Sequence, residues 1–446
     1  MKSRMMKMLS LLLAVLTVLL CPVTAQAAYT PDFDLQSETV LLVNLDTGKV
    51  MYEKNADAKV YPASLTKIMT AILALENVED LDGTKVALKQ YIQDMLYGKN
   101  ASLGGILLGE EISMRGLLYA SMLQSANEAS LMIGDYLGDG SLAQFAEMMN
   151  NKAKELGCTG TNFVNPNGLH DENHYTTARD MAKIAAYAME NPEFVEIVNT
   201  VSMDIGPTNK HDTLVEITTN KVIVPSSIYY NPAVSGIKTG TLDEAGRCFV
   251  STASRDGFTY LLVIMGAPLY DANGEFLDTM VNFEETNLLY EWVFDSFKVK
   301  TVMEKGRYIA DVPVRLSYEK DVVGLTSNQR LTALIPADVE PSSVQLIPDL
   351  PESIDAPVKK GDKVGTVKLV LAGEELGEVE LVANESVEMS KLLYYYDRAM
   401  ELLESFWVKF AILFVVFGLI AYIVLMIVIN KNSRRRRAGR RRRRNL

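Results

Sequence analysis

The stretch TVLLVNLDTGKVMYE, Thr39 to Glu53, reads as strand, turn, strand. Apolar and β-branched residues flank Asp46-Thr47-Gly48, a combination that reverses the chain. Its counterpart lies far downstream. There RCFVSTAS (247–254) and FTYLLVIMG (258–266) are rich in β-branched and aromatic residues and meet at Asp256-Gly257, a second hairpin. Between the two hairpins the period changes. From Ser64 onward Leu65, Ile68, Met69, Ile72 and Leu75 recur on one helical face, and further helices are expected at 111–123, 128–137, 141–156 and 177–190. An amphipathic stretch at about 281–297 closes the region. Strands, a helical middle and strands again predict an α+β domain whose terminal segments share one antiparallel sheet.

Outward from this domain (28–297) the texture changes twice. After Lys298 short strand-like runs are broken by prolines 313, 336, 341, 348, 351 and 357 and by Gly361, Gly365, Gly373 and Gly377, which predicts a small all-β domain at 298–388. Residues 389–408 read as a helical linker. Phe410 to Ile429 carries no charge and is long enough, at ~1.5 Å per residue, to cross a ~30 Å hydrocarbon core. The tail, 430–446, holds Lys431, Arg434 to Arg437 and Arg440 to Arg444, a flank that stays cytoplasmic and touches anionic lipid. At the other end Lys2, Arg4 and Lys7 precede an apolar run and Ala25-Gln26-Ala27, the pattern of a signal peptide at 1–27. A single-pass membrane protein with its body outside the cytoplasm follows.

The 446 residues carry a net charge of −12, and both cationic ends lack acids, so the exported body is more acidic than the total. Such a body disfavours nucleic acid as a partner. Three histidines and three cysteines, one in the leader, make a zinc cage improbable, and no metal or cofactor is expected. Cys158 and Cys248 remain after export, and their pairing is open from sequence.

The chemistry rests on three short motifs. Ser64-Leu65-Thr66-Lys67 puts a serine at a helix start with a lysine one turn on, a nucleophile and a base on one face. Alone the pattern is weak, since a capping serine beside a surface lysine looks the same. Ser125-Ala126-Asn127 sits in a break between helical stretches, and Lys238-Thr239-Gly240 ends the strand-like run from Val234. Together, in this order, S-x-x-K, S-x-N and K-T-G resemble the penicillin-recognising acyl-serine enzymes. Asn165-Pro166-Asn167-Gly168-Leu169 and His174-Tyr175-Thr176-Thr177-Ala178 narrow the resemblance to the D-alanyl-D-alanine carboxypeptidases, the low-molecular-mass penicillin-binding proteins. It extends from about Leu42 to Phe297, and APVKKGDKVGTVKL (356–369) resembles the β domain that follows catalysis in that family.

The resemblance implies a β-lactamase/transpeptidase-like fold and a site. Ser64 attacks the penultimate D-alanine carbonyl of a peptidoglycan stem pentapeptide and Lys67 takes its proton. Ser125 relays a proton to the leaving amine, and Asn127 donates to Lys67 or the substrate amide. Lys238 and Thr239 hold the terminal carboxylate, Gly240 is glycine because substrate lies against the strand, and the N–H groups of Ser64 and Thr241 form the oxyanion hole. β-Lactam antibiotics would inhibit by acylating Ser64. The middle motif departs from the usual S-G-N-D at Ala126 and Glu128, and Leu242 stands where threonine is common, which implies altered rate or preference. His170 and His174 read as structural and His211 as solvated. A serine β-lactamase and a membrane β-lactam sensor share the motifs. The first gains nothing evident from a second domain and an anchor, and the second has its sensor after several spans with a cytoplasmic effector.

Overall fold

The computed structural model describes residues 31–442, with side chains described up to Lys431, so the leader lies outside the described residues. Two compact units emerge: one reaches Lys298 and includes Pro336–Asp338, the other comprises Val299–Ile335 and the chain from Val339 on.

In the first unit β1 (Thr39–Asn44) and β2 (Val50–Lys54) form the expected hairpin, and β7 (Val234–Leu242), β8 (Gly246–Arg255) and β9 (Phe258–Ala267) complete an antiparallel sheet in the order β2-β1-β9-β8-β7. The chain ends thus meet edge to edge, β1 pairing with β9 from Thr39↔Met265 to Asn44↔Tyr260. Both faces of the middle strands are covered. Cys248, Val250, Leu261, Val263 and Met265 face the core shared with the helices. The alternate residues face the C-terminal helix α8 (Val281–Ser296): Phe249 meets Phe283, Tyr260 meets Phe294, and Ser251 bonds the Tyr290 hydroxyl at 3.0 Å. A period of two therefore sorts one strand between two cores.

The helical middle comprises α1 (Lys67–Asn77), α2 (Gln90–Leu96), α3 (Met114–Tyr119), α4 (Asn127–Leu137), α5 (Leu142–Glu155), α6 (Ala178–Met189) and α7 (Pro192–Asn199). Four short strands lie around it: β3 (Lys85–Ala87) pairs with β4 (Glu111–Ser113), and β5 (Ser202–Asp204) pairs with β6 (Val215–Ile217). The single helix expected at 111–123 is instead β4, then α3, then a π-helical turn, Ala120–Gln124. Ser113 causes the switch, because its hydroxyl accepts the Gly116 N–H and caps α3. The π turn ends at Ser125, in the left-handed region at φ +63, which is why the middle motif interrupts two helices. Helices α2 and α7 escaped the sequence reading, being short and only partly apolar.

The second unit begins with β10 (Phe297–Met303), β11 (Tyr308–Arg315), β12 (Val322–Ser327) and β13 (Leu331–Pro336), and continues with β14 (Gln345–Asp349), β15 (Ile354–Asp355), β16 (Lys363–Leu371) and β17 (Glu374–Ala383). Six of these form one sheet around Val312, Val323, Leu325, Val367, Leu369, Val379 and Leu381. Helix α9 (Lys391–Glu404) and helix α10 (Phe406–Arg442) follow. Within α10, Phe406–Lys431 is long and apolar enough to cross a membrane and is not buried inside the protein.

Candidate active site

Ser64 lies in a 3-10 turn, Ala63–Thr66, that feeds directly into α1. Two glycines make that turn possible. Gly168, at φ +81, presses so closely on the turn that a Cβ would stand 1.8 Å from the Ala63 carbonyl oxygen. Gly240 of β7 runs alongside, where a Cβ would come within 3.0 Å of Ser64 N and 3.1 Å of the Ala63 Cβ. The nucleophile's own turn is thus a reason for glycine at 240 beside the one expected from sequence. The K-T-G strand and the serine are thereby held side by side.

Lys67 is fully buried and is triply coordinated. Its Nζ donates to Ser64 Oγ at 2.9 Å, to Asn127 Oδ1 at 3.0 Å and to the Asn167 carbonyl at 2.6 Å. Burial, and then the charge of Lys238, hold its pKa well below 10.5, with Glu128 acting in the opposite sense. A lysine so placed loses its proton readily, and one of its three directions then becomes a lone pair facing the serine. The third acceptor, the Asn167 carbonyl, was not assigned from sequence. Its signal was present in the N-P-N-G turn, which Thr70 also grips by donating to the Pro166 carbonyl at 2.6 Å.

Asn127 begins α4 and is fixed from behind: its backbone N–H and its Nδ2 both donate to the Ser102 carbonyl, at 3.0 and 2.9 Å. Ser125, two residues earlier, is buried beside it. On the opposite side Lys238 is 1% exposed, burial brings its pKa down to about 7, and its Nζ donates to the Thr239 carbonyl at 3.1 Å. The Thr239 hydroxyl pairs with that of Thr219 at 2.6 Å, and Thr219 N–H donates to the Leu123 carbonyl in the π turn. Thr241 is exposed on β7. Two hydrogen-bonded groups result, one joining Ser64, Lys67 and Asn127, the other joining Lys238 and Thr239 through Thr219, a residue that no motif marked, to Leu123 in the π turn.

The histidines are structural. His174 Nδ1 accepts the Val164 N–H at 3.1 Å, so the ring proton sits on Nε2 and is donated to Thr66 Oγ1 at 2.8 Å; Thr66 in turn donates to the Ala63 carbonyl at 2.9 Å. His170 stacks edge-on against Tyr61 with centroids 4.6 Å apart. His211 is not simply solvated, since its Nδ1 meets Glu110 Oε1 at 2.8 Å. Cys158 and Cys248 are separate buried thiols, each pushed up to about 12 by burial. Among the described residues no cluster of three or more His, Cys, Asp or Glu side chains is arranged to hold a metal ion.

Residues 24–269, more than half of the chain, match the pattern of the D-alanyl-D-alanine carboxypeptidase peptidases. The chain belongs to that family. A second match covers residues 297–389 and is to the C-terminal domain of penicillin-binding protein 5. Among curated relatives, the D-alanyl-D-alanine carboxypeptidase DacF of Bacillus subtilis is 28% identical over 85% of this chain and 92% of its own length. DacC of Escherichia coli, with the same description, is 30% identical over 78% and 83%. Among solved structures, penicillin-binding protein 5 from Haemophilus influenzae covers 80% of this chain and 99% of its own at 25% identity, with a TM-score of 0.57. The protein is a serine-type D-Ala-D-Ala carboxypeptidase, a hydrolase of the low-molecular-mass penicillin-binding class with the transpeptidase-like fold that the resemblance implied. These matches favour the carboxypeptidase over the β-lactamase and sensor readings.

Proposed function

We propose that the reaction runs through an acyl-enzyme on Ser64, with Lys67 as general base. The observation that carries this is the Lys67 Nζ, buried and bonded at once to Ser64 Oγ, Asn127 Oδ1 and the Asn167 carbonyl. Neutral Lys67 takes the Ser64 proton as Oγ attacks the penultimate D-alanine carbonyl. The developing oxyanion lies against the N–H groups of Ser64 and Thr241, and the proton reaches the leaving D-alanine amine through Ser125. Lys238 and Thr239 receive the terminal carboxylate, whose negative charge restores the lysine to its protonated form on binding. Water then attacks the acyl carbon, Lys67 again taking a proton, and Ser64 is released. A β-lactam enters the same sequence and stalls as the acyl adduct.

The anchor completes the proposal. Helix α10 is placed in the bilayer with the basic tail on the cytoplasmic side and both folded units outside, on their peptidoglycan substrate. Incubating the full chain with a pentapeptide ending in D-Ala-D-Ala, and separately with a penicillin, tests the assignment: one D-alanine is released, and peptide mass spectrometry places the adduct on Ser64. An adduct on another residue, or a Ser64→Ala variant that still acylates, refutes it.

A further inference from the structure

Two buried carboxyl groups outside the reacting set converge behind Asn127. Glu128 follows it in the first turn of α4 and is 3% exposed; Glu216, at the centre of β6, is 1% exposed. Glu128 Oε1 accepts the Gly104 N–H at 2.7 Å, and a Cβ on Gly104 would stand 2.7 Å from Glu216 Oε1 and 3.1 Å from the Ala126 Cβ. Gly104 is therefore clamped between the two acids. Neither Glu216 oxygen, nor Glu128 Oε2, has a hydrogen-bond partner among the described residues.

Two carboxylates in one dry site do not both ionise at moderate cost. The arrangement assigns the states. Burial raises Glu128 as well, but N–H groups of the 104–106 backbone oppose that rise and favour the charge there, whereas Glu216, with no donor to stabilise an anion, is the member that holds the proton. Burial, and then the charge of Glu128, lift Glu216 to about 7, and the two titrate as a pair. Charged groups on the surrounding elements are engaged elsewhere. Asp135 on α4 pairs with Lys89, Asp94 on α2 with Gln90, Glu110 with His211, and Asp204 on β5 with the Gly206 and Leu214 N–H groups; Lys85 of β3 and Glu111 of β4 are exposed. Lys67 is the cation on which the charge of Glu128 acts.

The clamp reaches the active site by two routes. The segment holding Gly104 also holds Ser102, whose carbonyl fixes both the N–H and Nδ2 of Asn127. The strand holding Glu216 leads into Thr219, which bonds Leu123 before the S-x-N turn and Thr239 of K-T-G. We propose that Glu128 and Glu216 are positioning residues: sharing one proton, they clamp the 98–110 segment to β6 so that Asn127 faces Lys67 and Thr219 faces Thr239. Loss of the shared proton puts two like charges against Gly104 and loosens both routes. This rests on the roles assigned above to Lys67 and Asn127.

The test is the pH dependence of kcat for D-alanine release by the full chain in detergent, where bound substrate keeps Lys238 charged. Glu216→Gln, neutral at every pH, keeps kcat at pH 6 within about twofold and moves the alkaline fall upward by a pH unit or more. Glu128→Gln, which removes the anion acting on Lys67, moves the acid limb downward. Glu216→Met, apolar and of similar length, carries the same expectation as Glu216→Gln if the amide variant does not fold. A folded Glu216 variant whose profile superimposes on the wild type overturns the proposal. Infrared difference spectra between pH 6 and 8 separate its failure from failure of the carboxypeptidase assignment. A protonated-carboxyl band lost in the Glu216 variant supports the shared proton even where the chosen peptide is not turned over, and a wild type lacking that band overturns it.

Discussion

Acidification should destabilise the catalytic unit through one buried ring. His174 is 2% exposed, accepts the Val164 N–H and donates to Thr66, so the fold holds it neutral, and burial brings its pKa down to about 4 from 6.5. The unfolded chain binds a proton near pH 6.5, whereas the folded chain binds it only near pH 4. For a depressed folded pKa the contribution to stability is present above 6.5 and is lost as the pH falls through 4. At about 1.4 kcal/mol per pH unit the loss reaches about 3 kcal/mol, a large fraction of an ordinary ~5–15 kcal/mol stability. His174→Gln removes the titration. It weakens the fold at neutral pH by about 1–3 kcal/mol, because a buried partner is left imperfectly bonded. Its stability should then fall less steeply than that of the wild type between pH 6.5 and 4, by about 3 kcal/mol. Urea denaturation at closely spaced pH values reads the difference directly. Contributions common to both proteins cancel, including those of Glu128 and Glu216, whose raised pKa values act in the opposite sense. Parallel curves would refute the reasoning, as would a His174 ring resonance titrating near 6.5 in the folded protein.

Three further outcomes are expected. Lys67→Ala should lower the acylation rate by ~10²–10⁴-fold, and Lys238→Ala by much less, with its main effect on KM; equal losses would show that the division of labour between base and carboxylate anchor is wrong. Because burial brings Lys238 down to about 7, it carries charge below that pH and loses it above, so KM for a peptide with a free carboxylate should rise from pH 7 to 9, and a flat KM would count against Lys238 as the anchor. Deleting residues 407–446 should leave peptide turnover in solution unchanged while raising the pentapeptide fraction of the wall in cells, since tethering supplies effective concentration next to an immobile substrate; lost turnover in the folded truncated protein would implicate the helix in catalysis, and an unchanged wall would refute the tethering argument.

The sequence by itself determined those features whose physical cause is local. Apolar, β-branched and aromatic runs meeting at turn residues within 39–53 and 247–266 defined the hairpins, an uncharged stretch at 410–429 defined the apolar helix, and Ser64-x-x-Lys67 put base and nucleophile on one face because a helix turn does so wherever it occurs. The order of the three motifs then carried the family. Only the tertiary structure decided what depends on chain segments distant in sequence. The low pKa of Lys67 comes from burial and from Lys238, and its third acceptor is the backbone carbonyl of Asn167, whose turn the sequence shows but whose contact with Lys67 only the fold makes. Gly168 and Gly240 are glycines because of the Ala63–Ser64 backbone, a contact between three separate stretches. Glu128 stood in the sequence only as a departure from the usual aspartate that implies altered rate or preference; that it is buried and that its charge acts on Glu216, which lies on another element, is visible only in the fold.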